Sequence, residues 1–168
     1  MYTNEKDNGK NGRNFECDFR LLITGKAEAC HRQGVADIVA KVGVTVECKT
    51  AQPQLTAPIY NSKEDAENAI ANGFKMSKAM FIAYLPTYDG TNAEDAIIVS
   101  QKTFIEIFRR YGKLRAKKHS NGKWCIAIQQ YIPTPTFKAS QKTYDAIITD
   151  LFNNGEYYDI FMERMGLI

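Results

Sequence analysis

Two ionisable residues interrupt an apolar strand pattern in "VTVECKT", residues 44–50. Side chains alternate along an extended segment, so Val44, Val46 and Cys48 share one face and Thr45, Glu47 and Lys49 the other. Glu47 and Lys49 are therefore neighbours. Asp37 is the one charged residue of "ADIVA", the strand pattern that comes before. A turn at Lys41–Gly43 makes the two segments a hairpin. Cross-strand Cβ atoms lie about 5 Å apart, close enough to set Asp37 beside Glu47. Two carboxylates at that separation raise each other's proton affinity unless a cation lies between them. Lys49 offsets part of the repulsion, and a hard divalent ion offsets the rest: two carboxylates, completed by waters, are the usual protein share of a Mg²⁺ site. Such an ion engages a phosphate oxygen, lowers the pKa of a bound water and stabilises a leaving oxygen. The plainer alternative is a solvated surface pair between Glu47 and Lys49, contributing about 0–1 kcal/mol. Against it, Asp37 falls in a segment apolar on both faces, and a buried carboxylate needs a partner or a metal.

A second constellation is cationic. Residues 109–123, "RRYGKLRAKKHSNGK", hold Arg109, Arg110, Lys113, Arg115, Lys117, Lys118 and Lys123 and no acid. Cations clustered in this way release counterions when they bind a phosphate backbone. Tyr111 and Trp124 lie in or beside the run, where aromatics can stack on unpaired bases. The alternative is a solvated helix end followed by a hairpin turn at Asn121-Gly122. Next to an acidic metal site, which repels nucleic acid unless cations hold it, the run reads as a DNA-binding surface for backbone or structure. His31, ahead of the hairpin, is a candidate at the mouth of the site, though such a histidine is more often a plain loop residue. No nucleophile-elbow, P-loop or dinucleotide-binding pattern occurs.

The elements that must position these residues follow from periodicity. Residues 1–11 are polar and aperiodic and read as a loose lead. Phe15, Phe19, Leu22 and Ile23 fall on one helical face, with Glu16 beside it. "TAQPQLTAPIYN", with two prolines, reads as a loop. "SKEDAENAIANG" reads as a short helix capped by Ser62 and ended at Asn72-Gly73. "AMFIAYLP" and "GKWCIAIQQY" read as buried strands. A Ser-Gln-Lys-Thr run occurs twice, with Ser100 and Ser140 as natural N-caps of apolar-periodic helices. The aromatic, acidic tail reads as a last helix. Helices alternating with strands give an α/β or α+β fold, a mixed central sheet with helices on its faces.

Composition sets the outer limits. A chain of 168 residues with 44% apolar content suits a single domain with a proper core. A net charge of +3 is compatible with a nucleic-acid partner. Cys17, Cys30, Cys48 and Cys125 form no CxxC pair, so no zinc site of the usual spacing is signalled. The absence of an apolar leader pattern points to reduced thiols and a cytoplasmic setting, and no apolar run is long enough to span a bilayer. The Asn, Lys and Tyr content is of the kind found in phage and mobile-element proteins of AT-rich genomes.

Asp37, nine intervening residues and then Glu47-Cys48-Lys49 resemble the PD-(D/E)XK nuclease superfamily, the restriction-endonuclease-like fold that includes Holliday junction resolvases. The resemblance covers roughly residues 12–85, the nuclease core. Residues 86–168 resemble nothing in the family and read as additions that shape the substrate site. Ala36 stands where the motif's name has Pro. The resemblance implies a Mg²⁺- or Mn²⁺-dependent DNA nuclease in which Asp37, Glu47 and the backbone carbonyl of Cys48 ligate the metal. Lys49 would orient the attacking water and Glu16 would support the site. Gln52 resembles a glutamine that some members place near the scissile phosphate. DNA is expected rather than RNA. Cutting both strands calls for two sites, which a homodimer supplies. The rival is a non-catalytic nucleic-acid-binding or inhibitor protein that keeps the fold.

Overall fold

The computed structural model describes residues 15–23, 38–39, 44–50, 54–86, 93–111, 114–129 and 138–166. Its centre is a mixed five-stranded sheet. Strand β1 (Ile38–Val39) pairs antiparallel with β2 (Thr45–Thr50), and β2 pairs parallel with β4 (Phe81–Leu85). β4 pairs antiparallel with β5 (Ile97–Ser100), which pairs antiparallel with the short edge strand β8 (Glu156–Tyr157). The parallel β2–β4 step is bridged by β3 (Gln54–Tyr60) and helix α2 (Lys63–Asn72). β3 belongs to a separate three-stranded antiparallel sheet with β6 (Leu114–Lys118) and β7 (Trp124–Gln129), in the order β3-β7-β6.

Helices cover both faces of the five-stranded sheet. On one face Val46, Cys48, Ala83, Leu85 and Ile98 meet Phe15, Phe19 and Ile23 of helix α1 (15–23) and Tyr158, Phe161 and Met162 of α5 (Tyr158–Arg164). On the other, Ile82, Tyr84, Ile97 and Val99 meet Phe104 and Phe108 of α3 (Gln101–Arg110) and Ile147 and Leu151 of α4 (Lys138–Asn154). Leu55, Ile126 and Ile128 join that second core, so the smaller sheet packs on the same side as α3 and α4. α2 lies across β6 and β7.

Local chemistry accounts for most of the boundaries. The Ser62 hydroxyl accepts from Asp65 N at 3.1 Å to start α2, and Gly73 ends it at φ 109°, where a Cβ is unfavourable. The Ser100 hydroxyl accepts from Thr103 N at 3.2 Å to start α3.

Several expectations change. β3 replaces the loop expected from its prolines: it is an edge strand, and its register with β7 shifts between Thr56 and Ile59, where Pro58 sits. Edges and bulges are the places a sheet tolerates proline. The expected mixed central sheet is present, and among the described residues a second, three-stranded antiparallel sheet stands beside it. Leu22, placed on the buried face of α1 by its spacing, is 40% exposed, because Phe15, Phe19 and Ile23 fill the contact. α4 starts at Lys138, so Ser140 lies in its first turn rather than at its cap.

Candidate functional site

The alternation expected along β2 is present. Val46 and Cys48 are buried against α1 and α5, and the Cys48 side chain is spent in that core. The opposite face carries Thr45, Glu47 and Lys49. In the parallel register Glu47 lies beside Ile82 and Lys49 beside Tyr84, both fully buried on the α3–α4 side. Lys49 Nζ stands 2.9 Å from Glu47 Oε1, with the two side chains 24% and 12% exposed. An ion pair thus lies at the margin of an apolar core, where a neighbouring charge is screened less than on an open surface.

The ladder around this pair is partly described. Ile38 stands opposite Val46 and Val39 opposite Thr45. On the other side, the Thr45 carbonyl accepts from Met80 N at 3.1 Å, the first link toward β4. Carbonyls alternate in direction along a strand, so those of Val46 and Cys48 point toward β1. Asp37, His31 and Gln52 lie outside the described residues. Glu16 is half-buried on α1, whose Phe15–Phe19–Ile23 face covers the Val46–Cys48 side of the sheet, opposite Glu47 and Lys49.

Three further features frame the site, none of them singled out by motif. The Thr45 hydroxyl accepts from Met80 N at 3.0 Å. Gln101, 5% exposed in the first turn of α3, fastens the segment that leads into β4. Its Oε1 accepts from Met76 N at 2.7 Å, while its Nε2 donates to the Ser77 carbonyl at 3.0 Å and to the Ala79 carbonyl. Tyr84, next to Lys49 in the register, is hydrogen-bonded to Tyr144 of α4, whose hydroxyl donates to the Pro86 carbonyl at 2.8 Å. Burial raises both phenols, Tyr144 to about 12, so both stay protonated at neutral pH. The signal for Gln101 was a polar residue just inside a capped, apolar helix, which no motif distinguishes from a solvated one.

The cationic run divides in two. Arg109 Nη1 donates to the Ile70 carbonyl in the last turn of α2, and its Nε is 3.7 Å from Glu106, an ion-pair distance beyond hydrogen-bond reach. Arg110 bonds Asp150 of α4 at 3.0 Å, and the Tyr111 hydroxyl donates to the same carboxylate at 3.0 Å. These three residues tie α3 to its neighbours. Arg115, Lys117, Lys118 and Lys123 are exposed on β6 and the following turn. Lys113 lies outside the described residues. The ring of Trp124 is half-buried, and Lys63 Nζ lies 5.8 Å from its centroid.

No protein-family model, curated protein or solved structure matches the chain. Among the described residues no group of three or more His, Cys, Asp and Glu side chains is gathered as for a metal, and no helix is long and apolar enough to cross a membrane.

Proposed function

We propose that the chain is a Mg²⁺- or Mn²⁺-dependent nuclease of the PD-(D/E)XK type, hydrolysing DNA phosphodiester bonds through Asp37, Glu47 and Lys49. The observation that carries this reading is the convergence of Glu47 and Lys49 on one shielded face of β2, 2.9 Å apart, in the strand that pairs with β1. A mixed sheet covered by helices on both faces is the scaffold the family resemblance calls for. The reading requires the β1–β2 ladder to continue one residue past Ile38, which would set Asp37 opposite Glu47, the register shared by both described pairs.

The donor set fits a hard cation. Glu47 offers carboxylate oxygen, the Cys48 carbonyl points to the β1 side, and Asp37 would supply the second carboxylate if the β1–β2 register continues to it. When bound, the ion supplies Lewis-acid stabilisation of phosphate charge and a more acidic water. Lys49 holds and orients the attacking water by hydrogen bonding and adds positive charge where the phosphate becomes more negative. Glu47 keeps the ammonium in place before substrate arrives. The apolar wall of Ile82 and Tyr84 limits water access on the β4 side. α1 packs on the other face of the sheet, so Glu16 is assigned a supporting role to be tested separately from the three motif residues.

The non-catalytic alternative needs only the Lys49–Glu47 ion pair, which an ordinary pair of charged neighbours also makes. Incubating labelled duplex, branched, single-stranded and RNA substrates with Mg²⁺ or Mn²⁺ separates the two readings. The nuclease reading expects cleavage by the wild type and its loss in Asp37→Ala and Lys49→Ala with the fold retained. Equal cleavage by both proteins, or none by either, contradicts it.

A further inference from the structure

We infer that the outer side of β6 is a docking strip for the sugar-phosphate backbone of duplex DNA, entered by the exposed Arg115 and Lys117. This rests on the nucleic-acid reading above but not on catalysis.

β6 is an edge strand of the smaller sheet. Leu114 and Ala116 pack toward the core with Trp124, Ile126 and Ile128, so alternation turns Arg115 and Lys117 to the outer side. Being two residues apart on a strand, they are separated by about 6.7 Å along it. The register fixes where the strip begins. Gln54, the first residue of β3, is opposite Gln129, and Arg115 lies one row beyond Leu114, opposite Ala127 and Thr56. Lys117 follows opposite Cys125, whereas Lys118, opposite Trp124, alternates to the other face. The strip therefore starts at the end of the sheet where the chain arrives from Lys49 and runs to the hairpin tip, where Lys123 adds charge. No Asp or Glu occurs between Leu114 and Gln129. Lysine on an edge strand also blocks edge-to-edge pairing, but that role needs one charge and does not explain an acid-free series ending at a cationic tip.

Duplex is favoured over single strand by where the aromatics are. Single-strand binding gains from stacking of unpaired bases on aromatic faces. Lys63 lies against the Trp124 ring, and the Tyr111 hydroxyl is held by Asp150. Among the described residues of β6, β7 and their turn, Trp124 is the only aromatic. What the strip offers is charge, and duplex DNA presents the denser target, about one phosphate per 1.7 Å of axis.

The test is fluorescence anisotropy of the full chain with a labelled duplex, and with one of its strands alone, in EDTA across a NaCl series. Without a divalent ion no cleavage intervenes, and Asp37→Ala serves as a second background, so failure of the catalytic reading leaves this result intact and the reverse also holds. The duplex should bind more tightly than the single strand. The slope of log K against log salt should flatten by about 1.8 in Arg115→Gln/Lys117→Gln, about 0.9 for each phosphate no longer neutralised. It should stay unchanged in Lys142→Gln, which removes an exposed charge from α4. Thermal melting checks that both variants fold. Single-strand binding as tight as duplex binding, an unchanged slope in the double variant, or an equal change in Lys142→Gln overturns the inference.

Discussion

Lys49→Ala separates a metal site from an ordinary ion pair through stability alone. The side chains of Lys49 and Glu47 are 24% and 12% exposed and 2.9 Å apart. Exposed pairs contribute about 0–1 kcal/mol, and removing one partner of a buried pair costs about 3–5 kcal/mol. A pair shielded but not sealed falls between, so Lys49→Ala should cost about 2 kcal/mol in EDTA. For a chain of this size that is a fall of about 4–8 °C in Tm. The cost arises from Glu47, left charged beside Ile82, so adding Glu47→Gln should recover most of it. If Glu47 ligates a cation, Mg²⁺ replaces the missing ammonium and stabilises Lys49→Ala by about 2.7 kcal/mol at an ion concentration a hundredfold above Kd. Differential scanning fluorimetry with EDTA or Mg²⁺ reads all four combinations. Equal Tm values for wild type and Lys49→Ala in EDTA would exclude a stabilising pair, and a Mg²⁺ shift that persists in Glu47→Gln would exclude Glu47 as a ligand.

Other parts of the fold make separate predictions. Gln101→Glu keeps an acceptor for Met76 N but turns a carboxylate oxygen toward the Ser77 and Ala79 carbonyls. Urea unfolding should show a loss of about 2–4 kcal/mol at neutral pH. Part of it should return on acidification, because burial against carbonyls raises the folded-state pKa above the unfolded value and protonation restores the donor. Gly155→Ala places a Cβ 2.5 Å from Val99 Cγ1 and 2.8 Å from the Leu151 carbonyl oxygen. It should lower stability by about 1–3 kcal/mol, and Val99→Ala should relieve only part of this, since the carbonyl stays. Tyr144 is protonated in the fold up to about pH 12 and ionises near pH 10 when unfolded. Its contribution is therefore complete below about pH 10 and falls by about 1.4 kcal/mol per unit from there to about pH 12, so Tyr144→Phe should make alkaline unfolding less steep in that window.

The elements legible in the sequence were those whose signal is local. α2 follows from Ser62, its acidic first turn and Gly73, and α3 from Ser100 and its apolar spacing, because caps act within one turn. β2 follows from strict alternation, which also placed Cys48 in the core and Glu47 with Lys49 on the far face. β3 was not legible: Pro53 and Pro58 in the sequence read as a loop, because the edge position and bulge that tolerate Pro58 are properties of the pairing partner. β6 carries alternation in Leu-Arg-Ala-Lys, but the charge of the run masked it. Arg109 and Arg110 read as part of one basic patch because their partners, Ile70 and Asp150, come from distant helices. The side of the sheet taken by α1, and with it the placement of Glu16, depends on packing that no local pattern encodes.

The proposed nuclease requires Asp37 and Glu47 to hold a divalent cation together beside Lys49. The decisive measurement is Mn²⁺ titration of the full chain by electron paramagnetic resonance with a cleavage-resistant phosphorothioate duplex present. One tightly held ion per chain is expected, abolished by Asp37→Asn and by Glu47→Gln and retained in Lys49→Ala. Undiminished Mn²⁺ binding in Asp37→Asn or Glu47→Gln would contradict it.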